Sequence, residues 1–290
     1  MEGVTRFRVA TYNIHKCRGF DRRTSPDRIN AVIEELQAEI VCLQEVVDAS
    51  DGPRNFDQAR EIAKAFPAYS WRFGSNRALR GGQYGNMTLT RFPIRSWRNH
   101  DLTHGKREER GVLQVEIELG GNQALHIFNI HLGTSYTERR SQAARLLSPA
   151  VLGQEGLSAP RLIVGDFNEW TIGLTTRLLR GSFQTFRPQH GLRFPRTYPG
   201  MLPLLSLDHY YYEPPLELEQ ARLWRSRRAL IASDHLPLIA DFRIHAGQDE
   251  DGKERLRTDM LSSPPFSGAD ERARKGERGQ PLSPIPPGAF

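Results

Sequence analysis

Apolar positions fall into short runs of β character, broken by turn residues and interleaved with a few helical stripes. Phe7 to Ile14 mixes β-branched and aromatic residues and predicts a first strand. An arginine-rich loop follows, with Arg18, Arg22 and Arg23. Ser25-Pro26-Asp27 then predicts a helix start: Ser25 suits the N-cap and Pro26 the first turn, and Ile29, Val32, Ile33 and Leu36 form one apolar stripe. Ile40 to Leu43 is a continuous apolar run, a buried strand ending in Gln44-Glu45, so this first part of the chain reads as a βαβ unit. Asp57 to Phe66 predicts a second helix, stopped by Pro67.

Beyond it come short strands at Tyr69 to Phe73, Tyr84 to Arg91, Ile94 to Leu102, Val112 to Leu119 and Ala124 to His131, punctuated by Gly81-Gly82, Phe92-Pro93 and Gly120-Gly121-Asn122. Thr137 to Leu147 reads as a helix with Arg139, Arg140 and Arg145 outside and Ala143, Ala144, Leu146 and Leu147 inside. Leu162 to Gly165 predicts a short buried strand, followed by Asp166 and Asn168, which period-2 geometry puts on one side of an extended segment. A short helix near Thr171 to Leu179, a loop from Phe183 to Leu205, and strands at Ser206 to Tyr212, Leu216 to Trp224 and His235 to Phe242 complete the pattern. No internal repeat is evident. From Ala246 onward charged residues mix with Ser, Gly and six prolines and the apolar pattern ends. Two segments are therefore expected: a folded domain over 1–245, and a disordered tail over 246–290.

An apolar fraction of 38% with Gly 25 and Pro 19 suits a turn-rich globular protein with a sizeable core. Met1 to Arg8 holds no apolar run suited to a signal segment, and no stretch of about 18 apolar residues occurs, so a cytoplasmic protein without a transmembrane segment is expected. Cys17 and Cys42 form neither a disulfide framework nor a paired metal motif, and both suit ordinary core packing. Net charge is +6, and the tail carries seven Lys/Arg against eight Asp/Glu, so the body is more basic still and attracts phosphate-bearing partners.

The chemistry lies at the strand ends. Asn13 and His15 end the first strand, Glu45 follows the second, and His131 closes Phe128-Asn129-Ile130-His131. Asp166 and Asn168 follow the central strand, Asp208 lies in Leu207-Asp208-His209, and Ser233-Asp234-His235 precedes the last strand. Turn chemistry accounts for any one of these. Recurrence across the whole chain points to a site for phosphate or a hard metal. His100, His104, His126 and His190 lack such company and are set aside.

Thr11-Tyr12-Asn13-Ile14-His15, Leu43-Gln44-Glu45, Gly85-Asn86, Asn129-Ile130-His131-Leu132, Gly165-Asp166-Phe167-Asn168, Asp208 and Ser233-Asp234-His235 resemble, in order, the motifs of the endonuclease/exonuclease/phosphatase superfamily. That superfamily includes pancreatic-type deoxyribonuclease, abasic-site endonucleases, inositol polyphosphate 5-phosphatases and neutral sphingomyelinases. The resemblance runs from about Phe7 to Phe242 and implies an α/β (α+β) fold, a four-layer sandwich of two packed mixed sheets flanked by helices, with the site at one edge. His131 resembles the deoxyribonuclease, sphingomyelinase and phosphatase branches. Asp208 is followed by His209-Tyr210, a departure from the family's pattern.

The residue types suit the same chemistry. Glu45 and Asn13 offer hard oxygens for Mg²⁺, with Mn²⁺ as a substitute, and Asp234 is a third candidate ligand or the holder of a second metal. Asp166 is the candidate to orient and deprotonate a water, with Asn168 steadying that water or a phosphate oxygen. His131 and His235 are candidate donors to the transition state. Asp208 is the expected partner of His235, since Asp234, its sequence neighbour, points to the opposite face; a carboxylate there keeps the imidazole protonated near neutral pH. Asn86, Arg18 and Arg110 are candidate substrate-binding residues, and Arg107 and the Arg222 to Arg228 cluster around Trp224 could grip a polyanion. The expected function is Mg²⁺-dependent phosphodiester hydrolysis, first as a nuclease acting on nucleic acid. The alternatives are a phosphatase or phospholipase-type reaction on a small or lipid phosphoester, or a silent binding protein on the same scaffold. The presence of a residue at every chemical position argues against the last.

Overall fold

The computed structural model describes residues 4–49, 57–79, 81–120, 123–154, 156–157, 160–170, 173–186 and 195–245. The expected tail, Thr171 of the predicted helix and His190 lie outside them. Among the described residues twelve strands form two six-stranded sheets. The first sheet has β1 (Val4–Asn13), β2 (Ile40–Asp48), β3 (Ser70–Leu79), β4 (Gly82–Thr90), β11 (Leu216–Leu223) and β12 (Leu238–His245), in the order β11-β12-β1-β2-β4-β3. The second has β5 (Ile94–Asp101), β6 (Gly111–Gly120), β7 (Gln123–His131), β8 (Arg161–Asp166), β9 (Gln184–Thr185) and β10 (Asp208–Tyr212), in the order β5-β6-β7-β8-β10-β9.

Each sheet is mixed in the same way. Its central pair is parallel, β1 with β2 and β7 with β8, and its other neighbours are antiparallel. A parallel pair needs a crossover, and helices α1 (Pro26–Leu36) and α3 (Tyr136–Leu146) lie in the two crossovers. Helices α2 (Gln58–Ala65), α4 (Leu174–Ser182) and α5 (Arg227–Ala232) complete the set.

Strand alternation builds the layers. Ala10 and Tyr12 of β1 and Val41 and Leu43 of β2 pack with Ile29, Val32, Ile33 and Leu36 of α1, Ile62 of α2 and Ala229 of α5. Val9, Ile40 and Cys42 face the other way and meet Leu113, Val115, Leu125, Ile127, Leu162, Val164 and Tyr210 of the second sheet. On the far side, Phe128, Ile130 and Ile163 pack under Leu146 of α3 and Leu179 of α4. The result is the expected four-layer sandwich, each fully buried Leu, Ile or Phe contributing about 1.5–3 kcal/mol of transfer free energy.

Polar side chains also bridge the sheets. Asn129 of β7 donates to the Leu43 and Met87 carbonyls and to Thr88, and accepts from Gln44 at 2.8 Å. Asn86 of β4 donates to the Gly111 and Asn129 carbonyls, and Tyr210 of β10 donates to the carbonyls of Val9 and Leu238. These directional bonds fix how one sheet sits on the other, which apolar packing alone leaves looser.

Several elements differ from the sequence reading. β2 does not end at Leu43; it passes a bulge between Leu43 and Val46 and continues to Asp48, carried by Val46 and Val47. β3 extends to Leu79 without an apolar pattern, because it is an edge strand paired only with β4. On α3, Arg139 is buried and Ala144 exposed, the reverse of the amphipathic reading: Arg139 caps the carbonyls of Gly133 and Thr134 and lies over the Trp170 ring. The segment after Trp224 forms α5, which the basic cluster did not predict. Trp224 itself is half-buried, donating to Glu35 of α1, which also accepts from Arg228, so the indole is no open stacking platform. Among the described residues no helix is long and apolar enough to cross a membrane.

Candidate active site

The site continues the seam between the sheets. Val9 of β1 faces the other sheet, so Asn13, four residues on, shares that face. Leu125, Ile127 and Asn129 place His131 likewise, Leu162 and Val164 place Asp166, and Tyr212 and Tyr210 place Asp208. Register aligns them: in the second sheet His131 lies directly opposite Asp166 on one side and Asp208 opposite it on the other. Apolar side chains fill the far part of the seam, the buried polar groups Thr11, Gln44, Asn86 and Asn129 follow, and the site residues close it at the strand ends.

Glu45 reaches the same place by a different device. Period 2 along Ile40, Cys42 and Gln44 puts Gln44 in the seam, where it bonds Thr11 and Asn129. The bulge, with Glu45 at φ 59°, re-aims the next side chain, so that Asn13 Nδ2 donates to Glu45 Oε1 at 3.3 Å. Left-handed backbone recurs around the site: His15, Lys16 and Cys17 have φ of 45°, 55° and 54°, and Asn168 has 49°. Such conformations are costly for non-glycine residues and cluster where geometry serves a function.

Asp166 is the centre. Its Oδ1 accepts from the Asn168 backbone N–H at 2.8 Å, a local turn that holds the carboxylate still. Its Oδ2 accepts from Asn13 Nδ2 at 3.0 Å and faces His131 Nε2 at 3.6 Å and His235 Nε2 at 3.7 Å. Two imidazoles thus converge on one oxygen, each just beyond hydrogen-bond length. Asp166 is 1% exposed, His131 3% and His235 5%, so the group is screened from bulk water.

The two histidines are held in different states. His235 Nδ1 pairs with Asp208 Oδ2 at 3.1 Å. Burial works against its charge, but the Asp208 and Asp166 carboxylates outweigh burial and raise it to about 9. His131 Nδ1 faces Arg110 Nη1 at 3.1 Å, and Glu108 holds the same guanidinium at 2.9 Å. A guanidinium only donates, so Nδ1 accepts and the ring proton sits on Nε2. Burial and the Arg110 charge bring His131 down to about 4, leaving it neutral at pH 7. Burial pushes the Asp166 carboxyl up, by more than His235 and His131 pull it down. Burial also acts to raise Glu45, but His131, Lys16 and the hydrogen bonds from Lys16 and Asn13 prevail and hold it at about 2.

The remaining sequence candidates lie as follows. The extended course expected after β8 is replaced by the left-handed turn at Asn168, whose side chain donates to the Leu132 carbonyl at 2.9 Å. Asn86 is fully buried and spends its amide N–H groups between the sheets. Arg110 reaches the site through His131, while Arg18 is exposed in the loop just beyond His15. Asp234 Oδ1 lies 3.5 Å from His15 Nδ1, and no hydrogen bond or ion pair joins it to Glu45 or Asn13. Arg107 is exposed. Sequence reasoning missed Lys16, whose ammonium donates to Glu45 Oε2 at 2.7 Å; its place directly after His15 was the available signal.

Among the described residues no three His, Cys, Asp or Glu side chains gather into a metal cage. Mg²⁺ does not need one, since it takes one or two carboxylates and keeps several waters. Glu45 supplies a carboxylate for it; Asn13 turns its Nδ2 to Glu45 and Asp166 and its Oδ1 to the His15 N–H, so it fits once the amide turns over to offer its oxygen.

Two mixed sheets flanked by helices, with a carboxylate and imidazole site at the ends of their parallel strands, are the framework of a phosphoester hydrolase scaffold. The chain belongs to the Endonuclease/Exonuclease/phosphatase family, whose model matches residues 10–235. It is 32% identical over 254 residues to the uncharacterized protein YbhP of Escherichia coli K12, an alignment covering 82% of this chain and 96% of that protein. Among solved structures it is similar to an endonuclease/exonuclease/phosphatase from Beutenbergia cavernae, with a TM-score of 0.68, 22% identity and coverage of 83% and 72% of the two chains. The Bacteroides thetaiotaomicron mannosyl-6-phosphatase Bt3783 is also similar, with a TM-score of 0.62, 16% identity and coverage of 81% and 99%.

Proposed function

We propose that the protein hydrolyses a phosphodiester by direct attack of water, on the Asp166 centre. The observation that carries this reading is Asp166 Oδ2 with an amide and two imidazole Nε2 atoms around it, 3.0 to 3.7 Å away. Asp166 takes the proton of the attacking water, a role suited to a carboxyl raised by burial. His235, charged through Asp208, and His131, neutral with its proton on Nε2, donate to the phosphoryl oxygens as negative charge builds on them. Glu45 and Asn13 would hold Mg²⁺ or Mn²⁺, which supplies positive charge to a nonbridging oxygen.

Nucleic acid is the substrate we favour first, supported by a basic body and by exposed Arg18, Arg22 and Arg23 in the loop beside His15. A second reading, a lipid phosphoester, is favoured by one observation. Tyr198 packs on the His235 ring at 5.0 Å and the Gly200 N–H donates to the Asp234 carbonyl at 2.7 Å, while Met201, Leu202 and Leu204 of the same loop are exposed. A panel with Mg²⁺ or Mn²⁺ separates them: plasmid DNA, RNA, phosphatidyl lipids, sphingomyelin and phosphoinositides. Turnover of DNA or RNA supports the first reading and turnover of lipid the second. Inertness toward every phosphodiester in the panel contradicts both.

A further inference from the structure

Glu45, the carboxylate offered to a metal, already has a cationic partner from its own chain. Lys16 Nζ donates to its Oε2 at 2.7 Å, with the ammonium 5.4 Å over the Tyr84 ring. The pair is built from the backbone up. Lys16 belongs to three successive left-handed residues, which point its side chain back toward the strand ends. The buried Gln58 side chain then ties its backbone to the bulge: Gln58 Nε2 donates to the Lys16 carbonyl at 2.7 Å, and Gln58 Oε1 accepts from the Val47 N–H at 3.2 Å. One buried amide therefore holds both the turn that carries Lys16 and the bulge that carries Glu45. Side-chain exposure of 46% for Lys16 against 16% for Glu45 leaves the ammonium a wide way out into solvent and the carboxylate a narrow one.

We propose that Lys16 is a displaceable internal cation: it neutralises Glu45 while the site holds no metal and yields the carboxylate when a divalent cation binds. The proposal rests on the reading that Glu45 and Asn13 hold that cation. The physical need is clear from the site. Glu45 and Asp166 are two carboxylates bonded to one Asn13 amide, and buried charge without a counterion is costly. An ammonium on a flexible four-carbon stem answers the need and can leave, because it is a point charge with no bidentate grip on the carboxylate. A divalent cation must then displace Lys16, so Lys16 weakens metal affinity while it stabilises the metal-free protein.

The test measures Mn²⁺ binding to the full chain without substrate, by electron paramagnetic resonance of free Mn²⁺, alongside melting temperature with and without Mn²⁺. Lys16→Met should bind Mn²⁺ at least about fivefold more tightly than wild type, the factor that a partly exposed ion pair of about 1 kcal/mol gives. It should melt lower than wild type without metal and gain more on adding Mn²⁺. Lys16→Arg, which keeps the charge and adds a bidentate grip, should bind Mn²⁺ no more tightly than wild type. Equal or weaker Mn²⁺ binding by Lys16→Met, with wild-type binding abolished by Glu45→Gln, overturns the role of Lys16 and leaves the metal reading standing. Wild-type Mn²⁺ binding unaffected by Glu45→Gln, or absent altogether, overturns both.

Discussion

Asp208→Asn isolates the charge behind His235. In the wild type, Asp208 at 3.1 Å from Nδ1 is the leading influence that raises the imidazole to about 9 against the effect of burial. Asparagine keeps the shape and can still accept from Nδ1–H, but it removes the charge, so His235 should fall from about 9 toward its ordinary value of 6.5, with Asp166 still favouring its charge against burial. At pH 8 the protonated fraction then drops from about 0.9 toward about 0.03, a loss of up to roughly thirtyfold in kcat from protonation alone. At pH 6 most of that loss should vanish, because the variant imidazole recharges. The assay is kcat against pH from 6 to 9 on a hydrolysed phosphodiester, paired with NMR titration of the His235 ring. Because the carboxylate acts through the imidazole, losses in Asp208→Asn/His235→Ala should not add. A loss that is equal at pH 6 and pH 8, or fully additive losses, would refute the coupling.

The same pairing makes a stability claim. A folded-state value of about 9, above the unfolded 6.5, stabilises the protein fully below pH 6.5, and that stability is lost as pH rises through 9. At about 1.4 kcal/mol per pH unit the contribution is of order 3 kcal/mol. Wild type should therefore lose stability to denaturant between pH 6.5 and 9 more steeply than Asp208→Asn.

Three further outcomes follow from the geometry. Arg110→Met should let His131 rise above about 4, since the Asp166 and Glu45 carboxylates then work against burial and His235 without the added Arg110 charge; NMR titration of the ring reads this directly. Gly165→Ala should cut kcat and lower the melting temperature, because a Cβ there would sit 2.0 Å from the Ile130 carbonyl oxygen at φ 142°, forcing β7 and β8 apart beside Asp166. Asn129→Leu should cost roughly 2–4 kcal/mol in denaturant melts, since it strips partners from the Leu43 and Met87 carbonyls and from Gln44 inside the sheet interface.

Much of this site could be read along single strands. Alternation through Val9 to Asn13, through Leu125 to His131 and through Leu162 to Asp166 puts polar groups at the ends of inward-facing series, and alternation is a local property. Most strands were legible for the same reason, while the four-layer sandwich came from the resemblance to the superfamily. What escaped depends on neighbours distant in the chain. The bulge that aims Glu45 shows only in pairing with β4, and the left-handed turns at Lys16 and Asn168 occur without glycine. Arg110 read as a substrate-binding residue, and its hold on His131 escaped because that partner lies 21 residues away on β7. Arg139 and Trp224 misled similarly: their burial is decided by the Gly133 and Thr134 carbonyls and by Glu35, which composition does not reveal.

The central claim is that Asp166 activates water for attack on phosphorus. The most direct measurement is hydrolysis of a phosphodiester from the panel with Mg²⁺ by wild type and Asp166→Asn, each checked for folding, and repeated in EDTA. Asp166→Asn should keep the fold and fall by on the order of 10²–10³ or more in kcat with little change in KM, and wild type should lose turnover in EDTA and regain it with Mg²⁺ or Mn²⁺. A folded Asp166→Asn protein with wild-type kcat, or undiminished wild-type turnover in EDTA, would contradict the account.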